Sequence, residues 1–140
     1  MSTQVRLKII TPDRIIYDED VEMVIARGIE GEIGILFDHT PMVTLIPKSV
    51  LKIKKGKSFY PIAVSGGGFL EVIPNQITVL ADSAEKPEEI DVDRAEQAKR
   101  RAEERLTQEE EAKIEVNRAR EALQRAEARL QAVQQQKAAR

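Results

Sequence analysis

The chain has 140 residues, enough for one ordinary domain or a small domain with an appended element, and too few for two full-sized cores. Its 22 Lys and Arg against 24 Asp and Glu leave a formal net charge of -2, which argues against nucleic acid or an anionic membrane surface as partner. With no cysteine and one histidine, disulfides, thiolate chemistry and the usual zinc sites are excluded, and no apolar run approaches the roughly 20 residues of a spanning helix.

The first predicted strand, Val5 to Ile10, is interrupted by Arg6 and Lys8 and so does not read as a signal peptide; a reducing, cytoplasm-facing compartment fits. Strands follow at Arg14 to Tyr17, Val21 to Arg27, Glu32 to Phe37, Met42 to Ile46, Val50 to Lys54, Ser58 to Val64, Phe69 to Ile73 and Gln76 to Ala81. Pro12-Asp13, Lys55-Gly56 and Pro74-Asn75 supply the fixed or positive φ that tight reversals need, and the last two predict hairpins. Every glycine, proline and aromatic lies before position 88. The pattern predicts an antiparallel β-sandwich of about nine to ten strands over 1–87, followed by a chemically different segment over 88–140.

That second segment is predicted to be an antiparallel two-helix hairpin, because from Asp91 onward Ala, Glu, Arg, Gln and Lys dominate without Gly or Pro. Asp91 is placed to cap the first helix, and Ala95, Ala98, Ala102 and Leu106 share one face. Thr107-Gln108-Glu109-Glu110 fits a capping box and predicts a hinge between Leu106 and Lys113. Val116, Ala119, Leu123, Ala126, Leu130 and Val133 then form an a/d seam. An Ala methyl contributes only about 0.8 kcal/mol on burial, so the hairpin is expected to open easily. The stretch 88–112 is acidic and the second helix basic, so the two attract, and an acidic surface elsewhere can compete for the arginines.

Three features invite catalytic readings. Gly66-Gly67-Gly68 is followed by a strand and not by Lys-Ser/Thr and a helix, so it reads as a bulge or close sheet contact instead of a phosphate loop. Ser65 lacks a nucleophile elbow, and His39, in Asp38-His39-Thr40-Pro41, reads as an interface residue and not a base. The hairpin arginines have two readings that the spacing leaves open. One is a solvated helix face. The other is a polyphosphate site, if Arg94 and Arg101 on one helix converge with Arg125 and Arg129 on the next.

Taken in order, Thr11-Pro12-Asp13-Arg14, Gly31-Glu32-Ile33-Gly34-Ile35-Leu36 with His39 and Pro41, Ser65-Gly66-Gly67 with Leu70-Glu71-Val72, and Thr78-Val79-Leu80-Ala81-Asp82 resemble the epsilon subunit of the bacterial F-type ATP synthase. The resemblance covers essentially the whole chain, with one glycine more than the family pattern at Gly66 to Gly68. It implies a non-catalytic rotor subunit, peripheral on the cytoplasmic face of the cell membrane. Its sandwich would bind the gamma subunit and the c ring of a proton- or sodium-translocating complex, with no direct membrane insertion and no metal. Glu32, in a loop, and His39 close behind it are then expected at the c ring. The hairpin is expected to be mobile and regulatory, extending along gamma into the alpha/beta catalytic head. There Arg118, Arg120, Arg125 and Arg129 would meet the beta subunit and block hydrolysis. Some members bind ATP through I/L-D-x-x-R-A, which Ile90-Asp91-Val92-Asp93-Arg94-Ala95 matches. Glu85, Arg101, Arg125 and Arg129 fall at their other contacts, so ATP is expected as a regulatory ligand, with no required cofactor. A free-standing β-sandwich adaptor with a coiled-coil tail is the alternative, and a small hydrolase using Ser65 and His39 is a third.

Overall fold

In the computed structural model of the protein, the described residues are 3–107 and 113–138, the side chains of 113–116 excepted. They form nine strands and two α-helices. The strands are β1 (Val5–Ile10), β2 (Ile15–Val21), β3 (Met23–Gly28), β4 (Gly31–Leu36), β5 (Met42–Ile46), β6 (Ser49–Lys55), β7 (Ser58–Val64), β8 (Gly68–Ile73) and β9 (Gln76–Ala81). A short 3-10 turn at Pro87–Glu89 leads to α1 (Val92–Leu106) and α2 (Lys113–Ala138).

Two sheets pack face to face, one of five strands in the order β2-β1-β9-β8-β5 and one of four in the order β4-β3-β6-β7. Alternation along each strand turns Leu7, Ile9, Leu70, Ile77 and Val79 of one sheet toward Val24, Ile35, Leu51, Ile53 and Ile62 of the other, all essentially inaccessible to water. The hairpins at Lys55-Gly56 and Pro74-Asn75 form as expected. One pairing departs from an antiparallel sandwich, because β1 runs parallel to β9.

β2 corrects the sequence reading. Asp18, Glu19 and Asp20 look like a loop, yet the strand runs through them to Val21, because each acid has a cation partner. Arg6 of β1 reaches Asp18 at 2.8 Å and Asp20 at 3.4 Å, and Lys55 reaches Glu19 at 2.7 Å. A charged edge strand of this kind also discourages further pairing. The chain then crosses sheets at Glu22, whose carboxylate accepts from the Gly56 amide at 3.1 Å.

The three successive glycines have separate reasons. A Cβ on Gly68 would lie 2.1 Å from the Leu80 carbonyl oxygen, one on Gly66 would lie 2.7 Å from the Ser83 amide, and Gly67 takes φ +71°. They seat β8 directly against β9, which settles the local register: Gly68 lies opposite Ala81.

Asp91 caps α1 as predicted, its carboxylate accepting from the Arg94 amide at 3.1 Å. Thr107 closes α1 instead of opening α2, since its hydroxyl donates to the Glu104 carbonyl at 2.7 Å. The rest of the expected capping box, Gln108 to Glu110, lies outside the described residues, as does the Val116 side chain. Among the described residues, every buried side chain of the two helices is an alanine: Ala95, Ala102, Ala119, Ala126, Ala128 and Ala132. α2 packs on α1 and also on β6, β7 and the 3-10 turn, so it lies between α1 and the sandwich. The heptad pattern shows only the α1 side; Ala128 and Ala132 are not on that seam.

Candidate functional site: a cationic cavity between linker and helices

After β9 the chain crosses to the free edge of β7, where Glu85 and Ala63 exchange backbone hydrogen bonds of 2.9 and 3.0 Å. This anchors residues 85–91 to the sandwich. Where they meet the hairpin there is a cavity of about 440 Å³, in the range of roughly 300–1,000 Å³ usual for small-molecule sites. The linker contributes Glu85, Glu89, Ile90 and Asp91, α1 contributes Arg94, Ala95, Ala98 and Arg101, and α2 contributes Ala122, Arg125 and Arg129.

The carboxylates of this cavity are already engaged. Glu85 accepts from Arg129 Nε at 2.7 Å, Glu89 pairs with Arg14 from the β1–β2 turn, and Asp91 caps α1. The Glu89 contact holds the Arg14 guanidinium above its ordinary value. Arg94, Arg101 and Arg125 make no ion pair with a described residue. Three guanidinium forks thus line one cavity beside the positive end of the α1 dipole, an arrangement suited to a multiply charged anion.

All eight residues expected at a nucleotide line this cavity: Glu85, Ile90, Asp91, Arg94, Ala95, Arg101, Arg125 and Arg129. The sequence reading missed Glu89, Ala98 and Ala122 as lining residues. Ala98 and Ala122 leave room because they are small, while Glu89 depends on Arg14, 75 positions away, and carries no local signal.

The other expected sites are scattered. Glu32 is not in a loop. Gly31, at φ +131°, closes a two-residue turn at Ile29–Glu30, so Glu32 is already in β4, opposite Arg27 and 3.6 Å from Lys52 Nζ. His39 lies beyond the other end of β4, separated from Glu32 by the strand's length and not close behind it. Its Nδ1 donates to the Thr40 carbonyl at 2.7 Å, and the neighbouring Asp38 amide bonds to Pro74 at the β8–β9 turn. Ser65 is fully buried against Ser83, hydroxyl to hydroxyl at 2.9 Å, next to the opposite end of β8 from His39. The two cannot act on one substrate. Arg118 and Arg120 are exposed on α2.

Fold and cavity together define a two-part molecule, a β-sandwich carrying a helical hairpin with a cationic site at their junction. Residues 4–87 match the family model of the ATP synthase delta/epsilon chain β-sandwich domain, and residues 88–134 match that of the delta/epsilon chain long α-helix domain. ATP synthase epsilon chains of Alkalihalophilus pseudofirmus and Desulforamulus reducens are 53% and 46% identical over 106 residues, 76% of this chain and 78% and 80% of theirs. Among solved structures, a chain of the Euglena gracilis mitochondrial ATP synthase superposes with a TM-score of 0.80 at 23% identity, covering 96% of this chain and 83% of that one. A chain of the Tetrahymena thermophila mitochondrial ATP synthase central stalk and c ring gives 0.62 at 14% identity, covering 92% and 96%. The chain belongs to the ATP synthase epsilon-chain family, as a non-catalytic subunit of the central stalk. Membership sets aside the free-standing adaptor and the hydrolase. Among the described residues no helix is long and apolar enough to cross a membrane.

Proposed function

We propose that this subunit couples gamma to the c ring at the cytoplasmic face of the membrane and restrains ATP hydrolysis through its hairpin, which ATP holds closed. The observation that carries the nucleotide part is the convergence of Arg94, Arg101 and Arg125 on one cavity with no ion pair among the described residues. A polyphosphate there bridges α1, α2 and the linker, and so binds only the closed form. Such a ligand stabilises that form by about 2.7 kcal/mol at a hundredfold excess over Kd. An interface whose buried side chains, among the described residues, are all alanines is readily biased by that amount.

Arg125 and Arg129 are expected at both ends of the switch. Closed, they line the cavity; extended, they join the exposed Arg118 and Arg120 to meet an acidic surface of the beta subunit in the alpha/beta head. They cannot do both, so nucleotide and beta subunit compete for the same cations. Gamma has a suitable surface in the row Leu45, Phe69, Leu80, Ile10 and Ile15, which crosses all five strands in register on the outer face of the larger sheet. Leu45, Phe69, Leu80 and Ile15 are each at least half exposed. A contiguous apolar stripe of this kind marks a protein interface. Glu32 at one sandwich end remains the proposed c-ring contact, with His39 at a separate position.

Titration of the isolated chain with ATP, followed by amide chemical shifts, tests the nucleotide reading. Shifts are expected at residues 85–101 and 122–129 and to disappear in Arg94→Ala; an unresponsive wild-type spectrum overturns it.

A further inference from the structure

The segment 85–89 carries three carboxylates, and each has its own partners. Glu85 holds Arg129 of α2, and Glu89 holds Arg14 of the β1–β2 turn. Glu88 does not line the cavity. Its Oε2 accepts from the Tyr60 hydroxyl of β7 at 2.6 Å, and its Oε1 accepts from Gln136 Nε2 of α2 at 2.8 Å. One carboxylate therefore bridges the sandwich and the far half of α2, about two helical turns beyond Arg129.

Topology makes that bridge consequential. α1 is about 22 Å long and is tethered at both ends, to the sandwich-anchored linker before Val92 and to α2 through residues 108–112. With α2 seated on β6 and β7, α1 has no path along which to swing out. Opening therefore requires α2 to leave the sandwich. The docked position carries a cost as well, because Gln135 Oε1 is buried with no hydrogen-bond partner among the described residues.

We propose that Glu88, clasped between Tyr60 and Gln136, is a latch that seats α2 on the sandwich and gates opening of the whole hairpin. This rests on the reading that the hairpin opens, but not on nucleotide binding. Losing either bond loosens both helices together, and removing the Gln135 side-chain amide with its orphaned oxygen tightens both.

Hydrogen exchange on the full chain without nucleotide tests this. Tyr60→Phe and Gln136→Ala are each expected to speed exchange of α1 and α2 amides about three- to fivefold, in parallel, with β1 to β9 unchanged. Gln135→Leu is expected to slow both. Acceleration of α1 alone, or no change in either helix, overturns the latch. Should Tyr60→Phe disturb the sandwich, Gln136→Ala and Gln135→Leu, on the helix, decide between the outcomes. A parallel series on wild type with ATP separates the two proposals. If ATP leaves exchange unchanged while the latch variants act, the nucleotide reading fails and the latch stands. If ATP protects both helices while the latch variants do nothing, the latch fails.

Discussion

Arg129 and Glu85, 44 positions apart, meet at 2.7 Å where the second helix touches the linker. Both side chains are a little over a quarter exposed, so water screens the pair and its own contribution to stability is about 0–1 kcal/mol. Its importance lies in position, since it sets Arg129 at the cavity rim. Glu85→Gln is expected to lower unfolding stability by less than about 1 kcal/mol in urea titrations. Arg129→Ala is expected to weaken ATP binding about tenfold or more by calorimetry, the scale of a lost charge-assisted hydrogen bond. Equal small effects of both changes on ATP would place the phosphates elsewhere.

Removing 88–140 is expected to leave a folded sandwich that still binds gamma, while the reconstituted complex loses its restraint on hydrolysis. The hydrophobic core contains only residues before position 88. Uncovering Ala63 and the surface of β6 and β7 on which α2 packs is the main local cost. Hydrolysis rates of the complex with full and shortened chains check this, and unchanged inhibition removes the hairpin from the account.

Two glycine changes should differ in magnitude. Gly68→Ala forces a methyl against the Leu80 carbonyl 2.1 Å away, so β8 and β9 must separate, and a loss of about 3 kcal/mol or more is expected. Gly56 also has positive φ, +72°, but open space around it, so Gly56→Ala is expected to cost only about 1–2 kcal/mol of backbone strain. Denaturant midpoints of the two variants provide the comparison.

The latch should respond to acid. Burial acts to raise the Glu88 carboxyl, but hydrogen bonds from Tyr60, its own backbone and Gln136, with Lys86 nearby, hold it below the ordinary glutamate range. A carboxylate lowered by folding contributes stability that is complete above its unfolded value, about 4.3, and is lost as pH falls through the folded value. The Gln136 side-chain amide resonances are therefore expected to move only at pH below the ordinary glutamate range, and the transition should shift upward in Tyr60→Phe. A transition unaffected by that change would mean that Tyr60 does not hold the proton off.

Most of the sandwich was legible because Gly, Pro and Asn punctuate its strands at nearly every turn. The run Asp18-Glu19-Asp20 was not, since a strand made of acids is recognisable only once Arg6 and Lys55 are known to face it. The cavity was legible in its arginines, where helical spacing predicts a shared face, and invisible at Glu89, whose placement depends on Arg14. Glu32 was legible as a strand residue in the predicted strand from Glu32 to Phe37, and only the loop implied by the family resemblance misplaced it. The Ala128 and Ala132 side of the second helix was hidden because a heptad count reveals one seam, whereas this helix serves two neighbours.

The parallel pairing of β1 with β9 bears on how the chain acquires its shape. Val5 to Ile10 is made before the other eight strands described, yet one of its two ladder partners, Gln76 to Ala81, is synthesised some seventy residues later. At about 5–20 residues per second, that open edge waits several seconds for closure. The five-stranded sheet is therefore completed only once β9 has been made, after every strand of the four-stranded sheet.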